Sequence, residues 1–205
     1  MLITEISAQK KKGRYNLFVD DAFYSGIDEE VIILYGLKVG QEINEEDIHN
    51  IIIQSEKKYA FKLIADLISR KDYSEKEIFD KLLKKGINVS GINLAIKLAK
   101  EYGYINDETF ARNFVSQYSN KSKRELKNKL YLKGINKNII DEVVNDIDPD
   151  KEIEVAGRLA EKYMRNKTID KKSLSNLYSY LLRKGFDNSC CMNIIKKYKC
   201  DIEDL

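Results

Sequence analysis

Three stretches of this chain carry the same pattern, and each ends on a lysine–glycine corner. They run from Glu77 to Asn88, from Glu125 to Asn136 and from Asn176 to Asp187. The corner glycines, Gly86, Gly134 and Gly185, are 48 and 51 residues apart, a period in the range of repeat architectures. A chain built this way folds as a row of small, similar modules, each stacked on the next.

Every shared column has a physical reason. Ile78, Leu126 and Leu177 stand four residues before Leu82, Leu130 and Leu181, which puts each pair on one helical face. The glycines take the position past a helix end where a left-handed backbone suits glycine alone. Lys85, Lys133 and Lys184 set positive charge against the negative helix end. Ile87, Ile135 and Phe186 fold apolar bulk back onto the last turn, and Asn88, Asn136 and Asp187 cap the helix that follows. Upstream, Ser74 to Glu77 and Ser122 to Glu125 fit capping boxes, with Asp170 as the cap in the third copy. A first helix precedes each, at about 58–71, 107–119 and 150–166, with Pro149 suited to open the last. The expected fold is mainly α: three tandem three-helix repeats, 57–105, 106–148 and 149–205, in an elongated array.

Residues 1–56 read differently. Leu2 to Ser7 and Tyr15 to Val19 alternate imperfectly, with polar turns at Lys10–Arg14 and at Asp20-Asp21, the latter before Ala22-Phe23-Tyr24. Two strands and a short third, joined by hairpin turns, are expected. A bare hairpin is marginal in water. Its support comes from a short helix starting near Asp28 and stopped by Gly36, and from another opened by Asn44 with acids in its first turn.

Composition narrows the function classes. Charged residues make up 34% of the chain, against about 25% in a typical globule, which suits small modules rich in surface. Cys190, Cys191 and Cys200 are odd in number, two of them adjacent, and the only histidine, His49, is remote. They make neither a disulfide framework nor a metal set, so reduced thiols packed on a terminal helix are expected, with no metal or cofactor. The apolar run Val31–Leu37 is too short to span a bilayer and no signal peptide is visible, so a cytoplasmic protein without a membrane partner is expected.

The net charge of +3 is unevenly spread: residues 1–56 carry −6, 57–105 carry +5, 106–150 balance and 151–205 carry +4. Segregation of this kind suits a bipolar partner, such as a protein filament carrying DNA, better than naked duplex.

The stretch Gly103-Tyr104-Ile105-Asn106-Asp107, followed by Phe110-Ala111-Arg112, resembles the glycine-tyrosine-leucine-asparagine-aspartate and phenylalanine-alanine signature of the RecX regulators. The Lys-Gly-Ile turns and the Ser74 box are similar to that family too. Lys12 to Asp20 and Tyr35 to Gln41 resemble the N-terminal extension of its Gram-positive members. The resemblance covers nearly the whole chain. It departs at Ser119-Asn120-Lys121-Ser122, where the family often has a glycine-containing basic turn, and at Cys190-Cys191, where the other copies have Gly91-Ile92 and Ile139-Ile140. It implies a non-enzymatic regulator, a monomer, lying in the groove of the RecA recombinase filament. There it would reduce ATP hydrolysis and strand exchange in recombination and repair, touching single-stranded DNA weakly or through the filament.

Three basic groups are candidate contacts. On a helical wheel with Leu126 at zero, Lys123, Lys127, Tyr131 and Arg124 fall at about 60°, 100°, 140° and 160°, a basic flank holding one aromatic ring. Such a flank can neutralise phosphates and stack a base. The second group is the hairpin tip, Lys10, Lys11, Lys12 and Arg14, which could equally guard a strand edge. The third is Lys171, Lys172 and Arg183, with Lys184 already explained by the helix end. Asn106 and Asp107 read as helix caps, and Phe110 as filler at the junction between repeats.

An enzyme is not expected, since the chain has no glycine-rich phosphate loop and no ligand cluster. The rival reading is a direct DNA binder, because helix, glycine turn and helix resemble a helix-turn-helix. Against it, residues 137–145 end acidic, which phosphate would repel.

Overall fold

The computed structural model describes residues 1–203, and the side chains of residues 1–199. Strands β1 (Ile3–Ala8), β2 (Arg14–Val19) and β3 (Ala22–Asp28) form an antiparallel meander in the order β1-β2-β3. Asp20 and Asp21 both have positive φ, 49° and 63°, the backbone that a two-residue turn needs to match strand twist. Helix α1 (Glu29–Tyr35) follows directly and stops at Gly36, at φ 61°. Helix α2 (Glu45–Ile68) starts at Asn44, whose side chain accepts from the Asp47 amide. Ile3, Leu17, Val19 and Ile27 of the sheet pack with Ile48, Ile51 and Ile52 of α2, which supplies the cover the meander requires.

The sequence predicts a boundary between residues 56 and 57 and a fresh helix near residue 58. The structure instead runs α2 without a break for 24 residues. Neither glycine nor proline occurs between Asn44 and Ser69, so nothing interrupts its hydrogen-bond ladder. Its first half belongs to the core under the sheet. Its second half packs Ala60, Leu63 and Ile64 against Ile78 and Leu82 of α3 (Glu75–Leu83) and Ile92, Ala95 and Ile96 of α4 (Val89–Glu101). At the midpoint Gly91 comes so near that a Cβ there would lie 2.7 Å from the Glu56 Cβ. The Glu56 carboxylate accepts from the Asn88 amide at 3.1 Å, one of the orphan donors opening α4.

The chain separates into two compact units, Met1–Asn106 and Asp107 onward. The second holds two further bundles. One is α5 (Asp107–Gln117), α6 (Lys123–Leu132) and α7 (Lys137–Asn145), around Phe110, Leu126, Leu130, Ile135 and Val144. The other is α8 (Pro149–Met164), α9 (Lys171–Lys184) and α10 (Asn188–Glu203), around Ala156, Leu177, Leu181, Phe186 and Cys191.

The corner geometry repeats. Gly86, Gly134 and Gly185 sit at φ 78°, 80° and 96°. One residue on, the amides of Ile87, Ile135 and Phe186 donate back to the carbonyls of Leu82, Leu130 and Leu181, at 3.4, 3.2 and 3.3 Å, and all three side chains are buried. Asn88, Asn136 and Asp187 each accept from an amide of the next helix. The box at Ser74 is complete, whereas Ser122 accepts from the Glu125 amide while Glu125 turns to Lys121 and Lys129. Phe110 lies in the second bundle's own core, its ring stacked 6.1 Å from Phe114. Asp107 is the first residue of α5, which leaves Asn106 at the cap position.

Candidate functional site

The hairpin tip and the middle of α2 form the first surface. Arg14 opens β2 with its side chain only 11% exposed, 3.5 Å from Asp28. Its guanidinium lies 3.9 Å from the centre of the Tyr59 ring, and the Lys11 ammonium 4.4 Å from the same ring. Lys11 also donates to the Tyr59 hydroxyl at 3.1 Å. A positive group over a ring face is attracted by the ring quadrupole, so these two cations fasten the hairpin to α2. Burial pushes the Asp28 carboxyl above its usual range, with Arg14 opposing. Lys10 and Lys12 stay exposed. Between tip and helix opens a cavity of 280 Å³, lined by Lys11, Lys12, Arg14, Lys58, Phe61 and Lys62 with Asp28, Glu29 and Glu30.

Phe61 is shared with a second groove, 300 Å³, which also takes Leu34, Tyr35, Lys57, Lys58 and Leu98. The Phe61 ring meets two exposed rings from the end of α4, Tyr102 at 6.0 Å and Tyr104 at 6.1 Å, themselves 5.9 Å apart. Gly103, at φ 72°, turns the chain so that both tyrosines stand on one side. The sequence analysis missed this ring cluster. Its available signal was a pair of tyrosines flanking a glycine just past a helix.

The flank on α6 is used otherwise. Lys123 Nζ donates to the Ile147 carbonyl at 2.8 Å, and Arg124 donates to the Leu182 carbonyl at 3.1 Å. Lys127 pairs with Asp141 at 2.5 Å and holds that carboxyl below its usual range. Tyr131, 72% exposed, presents its ring outward, and Arg124 stays exposed while it makes its bond. Three of the four expected contacts are thus occupied within the fold.

The third group is not one patch. Lys171 and Lys172 open α9 and Arg183 ends it, about 18 Å away along the helix axis. Lys184 lies 5.6 Å from the Tyr180 ring, which stacks on Tyr163 at 4.6 Å. Arg112 of the signature reaches Glu108, Glu142 and Asp146 at 2.8–3.0 Å and ties α5 to α7. Cys190 and Cys191 are buried on α10, and burial pushes the Cys190 thiol up to about 12, so it is unreactive. The side chain of Cys200 lies outside the described residues. No described helix is long and apolar enough to cross a membrane.

Residues 1–44 match the family described as "Regulatory protein RecX N-terminal domain", and residues 106–144 that described as "RecX, second three-helix domain". The chain is 35% identical over 190 residues to a protein of Caldanaerobacter subterraneus named "Regulatory protein RecX", covering 91% of this chain and 94% of that one. The chain belongs to the RecX family. A Clostridioides difficile member is 35% identical over 202 residues, 96% of this chain and 95% of its own. A solved structure, "Crystal structure of regulatory protein RecX", aligns with a TM-score of 0.70 at 26% identity over 94% of this chain and 98% of that one. The RecX N-terminal match thus covers the sheet and α1. The second covers the bundle whose core holds Phe110, Leu126 and Leu130.

Proposed function

We propose that this RecX protein is a non-enzymatic regulator that binds the RecA filament on single-stranded DNA and restrains its ATP hydrolysis and strand exchange. The observation that carries this reading is the match along nearly the whole chain to proteins named as regulators. Segregated charge agrees with it: an acidic front module and a first bundle of net +5 offer opposite signs to a partner made of protein and nucleic acid. The protein acts as a cytoplasmic monomer and meets DNA chiefly through the filament. The helix-turn-helix alternative is less well supported, because α7, where base contacts would be needed, carries Asp141 and Glu142 against the single cation Lys137 and offers phosphate no net positive charge.

The test is DNA-dependent ATP hydrolysis by RecA, titrated with this protein. Hydrolysis falls as the protein approaches a saturating ratio. Unchanged hydrolysis, together with tight binding to one duplex sequence at physiological salt, would overturn the regulator in favour of the direct DNA binder.

A further inference from the structure

We infer that the Phe61, Tyr102 and Tyr104 cluster is a stacking platform for unpaired bases, with Lys12 and Lys62 beside it receiving the backbone phosphates. This deepens the proposed function by giving the single strand a site on the regulator itself, and it rests on that reading only for its biological setting.

At the three corners described above, the residue after glycine is buried. Helix α4 closes with the same bond, the Tyr104 amide donating to the Ala99 carbonyl at 2.8 Å, yet Tyr104 is 53% exposed and Ile105 takes the buried place instead. Tyr102 is 63% exposed. Water thus reaches two rings that meet each other tilted and Phe61 edge-on or tilted, at centroid distances of 5.9–6.1 Å. A rigid aromatic surface of this kind accepts any base, since every base has a π-face.

Charge selects the occupant. The rings end the first bundle, the most basic part of the chain at net +5. Phe61 walls the hairpin-tip cavity as well as the groove, so the rings continue into a cationic track. The acids along that track are engaged: Asp28 by Arg14, Glu30 by Lys58, and Glu29 by the Tyr15 hydroxyl at 3.3 Å. Neither Lys12 nor Lys62 makes an ion pair within 4 Å among the described residues, although Lys62 stands near enough to Asp28 to favour its ionised form. Interleaved cations and rings suit a phosphodiester strand with splayed bases. A duplex, whose bases are already stacked, gains nothing from the rings.

The experiment uses the full-length protein and a fluorescein-labelled oligothymidylate, followed by anisotropy at several salt concentrations, with RecA ATP hydrolysis measured separately. Y102A/Y104A should bind the oligonucleotide about tenfold or more weakly. Y102F/Y104F, which keeps the rings and loses the hydroxyls, should bind as wild type. K12A/K62A should flatten the dependence of log affinity on log salt by about 0.7 per lysine. The chain lacks tryptophan, so quenching of tyrosine emission by the oligonucleotide is a direct second readout. Wild-type affinity in Y102A/Y104A overturns the platform, whatever RecA does. So does an alanine pair that binds the oligonucleotide normally but no longer restrains RecA, since the rings would then be a protein dock. If the protein binds the oligonucleotide through these rings and RecA hydrolysis is untouched, the platform stands and the regulator reading falls.

Discussion

A Cβ placed on Gly185 would lie 2.6 Å from Oγ of Ser122, in the neighbouring bundle. The third corner is therefore shaped by the second bundle as well as by its own turn. Ser122, 1% exposed, donates to the Lys184 carbonyl at 2.7 Å while accepting from the Glu125 amide, and Arg124 takes the Leu182 carbonyl. The Lys184 carbonyl, left over at the end of α9, is thereby satisfied by the start of α6, and the Leu182 carbonyl, which already accepts from the Gly185 amide, gains a second donor.

Ser122→Ala removes a helix cap and an inter-bundle bond together. We expect a loss of about 1–2 kcal/mol in urea denaturation. Gly185→Ala should cost more, since it adds the steric clash to backbone strain at φ 96°. In the double variant part of that clash is gone, so the two losses should add to less than their sum. Full additivity in the cycle would show that the joint is looser than these distances.

Arg124→Ala should lower stability by about 1 kcal/mol and leave the salt dependence of oligonucleotide binding unchanged, because its charge serves the joint. A salt slope that falls with intact thermal stability would restore this residue to the nucleic-acid surface.

Gly134→Val should lower stability by about 1–3 kcal/mol, since a branched residue is strained at φ 80°. Gly134→Asn should be milder, because asparagine visits that region. Thermal melts that rank the two variants the other way would mean the turn has relaxed.

Glu56 tests burial. Its carboxyl is raised above 4.5 by desolvation, with the Asn88 amide opposing. Folding therefore favours the protonated form. The contribution of Glu56 to stability falls as pH climbs from 4.5 through the raised folded value, then stays level. Glu56→Gln keeps an oxygen for the Asn88 amide and cannot ionise. It should be at least as stable as wild type at neutral pH, with the difference closing at 4.5 and below. A variant weaker at neutral pH than in acid contradicts this.

The repeated corners were legible because each relies on local chemistry: a glycine, an apolar residue after it and a capping side chain within one turn. The two-residue hairpin turn and the start of α2 at Asn44 were legible for the same reason. What escaped depended on distance in space. The run Glu56-Lys57-Lys58 looks like a boundary in composition, yet the backbone passes through it as helix, with Glu56 facing Asn88. Lys123 and Arg124 look like uncommitted cations on a wheel, which takes no account of the neighbouring bundle. The platform escaped because Phe61 and Tyr102 are 41 residues apart and meet only through the packing of α2 on α4.

Ser122 has a counterpart in the third bundle, where Asp170 caps α9. A serine hydroxyl has a proton to give to a neighbour's carbonyl. The Asp170 carboxylate, held ionised by the Ser173 amide and hydroxyl, has none. The joint reads main-chain oxygens, so it follows the backbone course of the glycine corner and not the side chains that make it. One hydroxyl at one cap therefore serves both its own helix and the end of its neighbour.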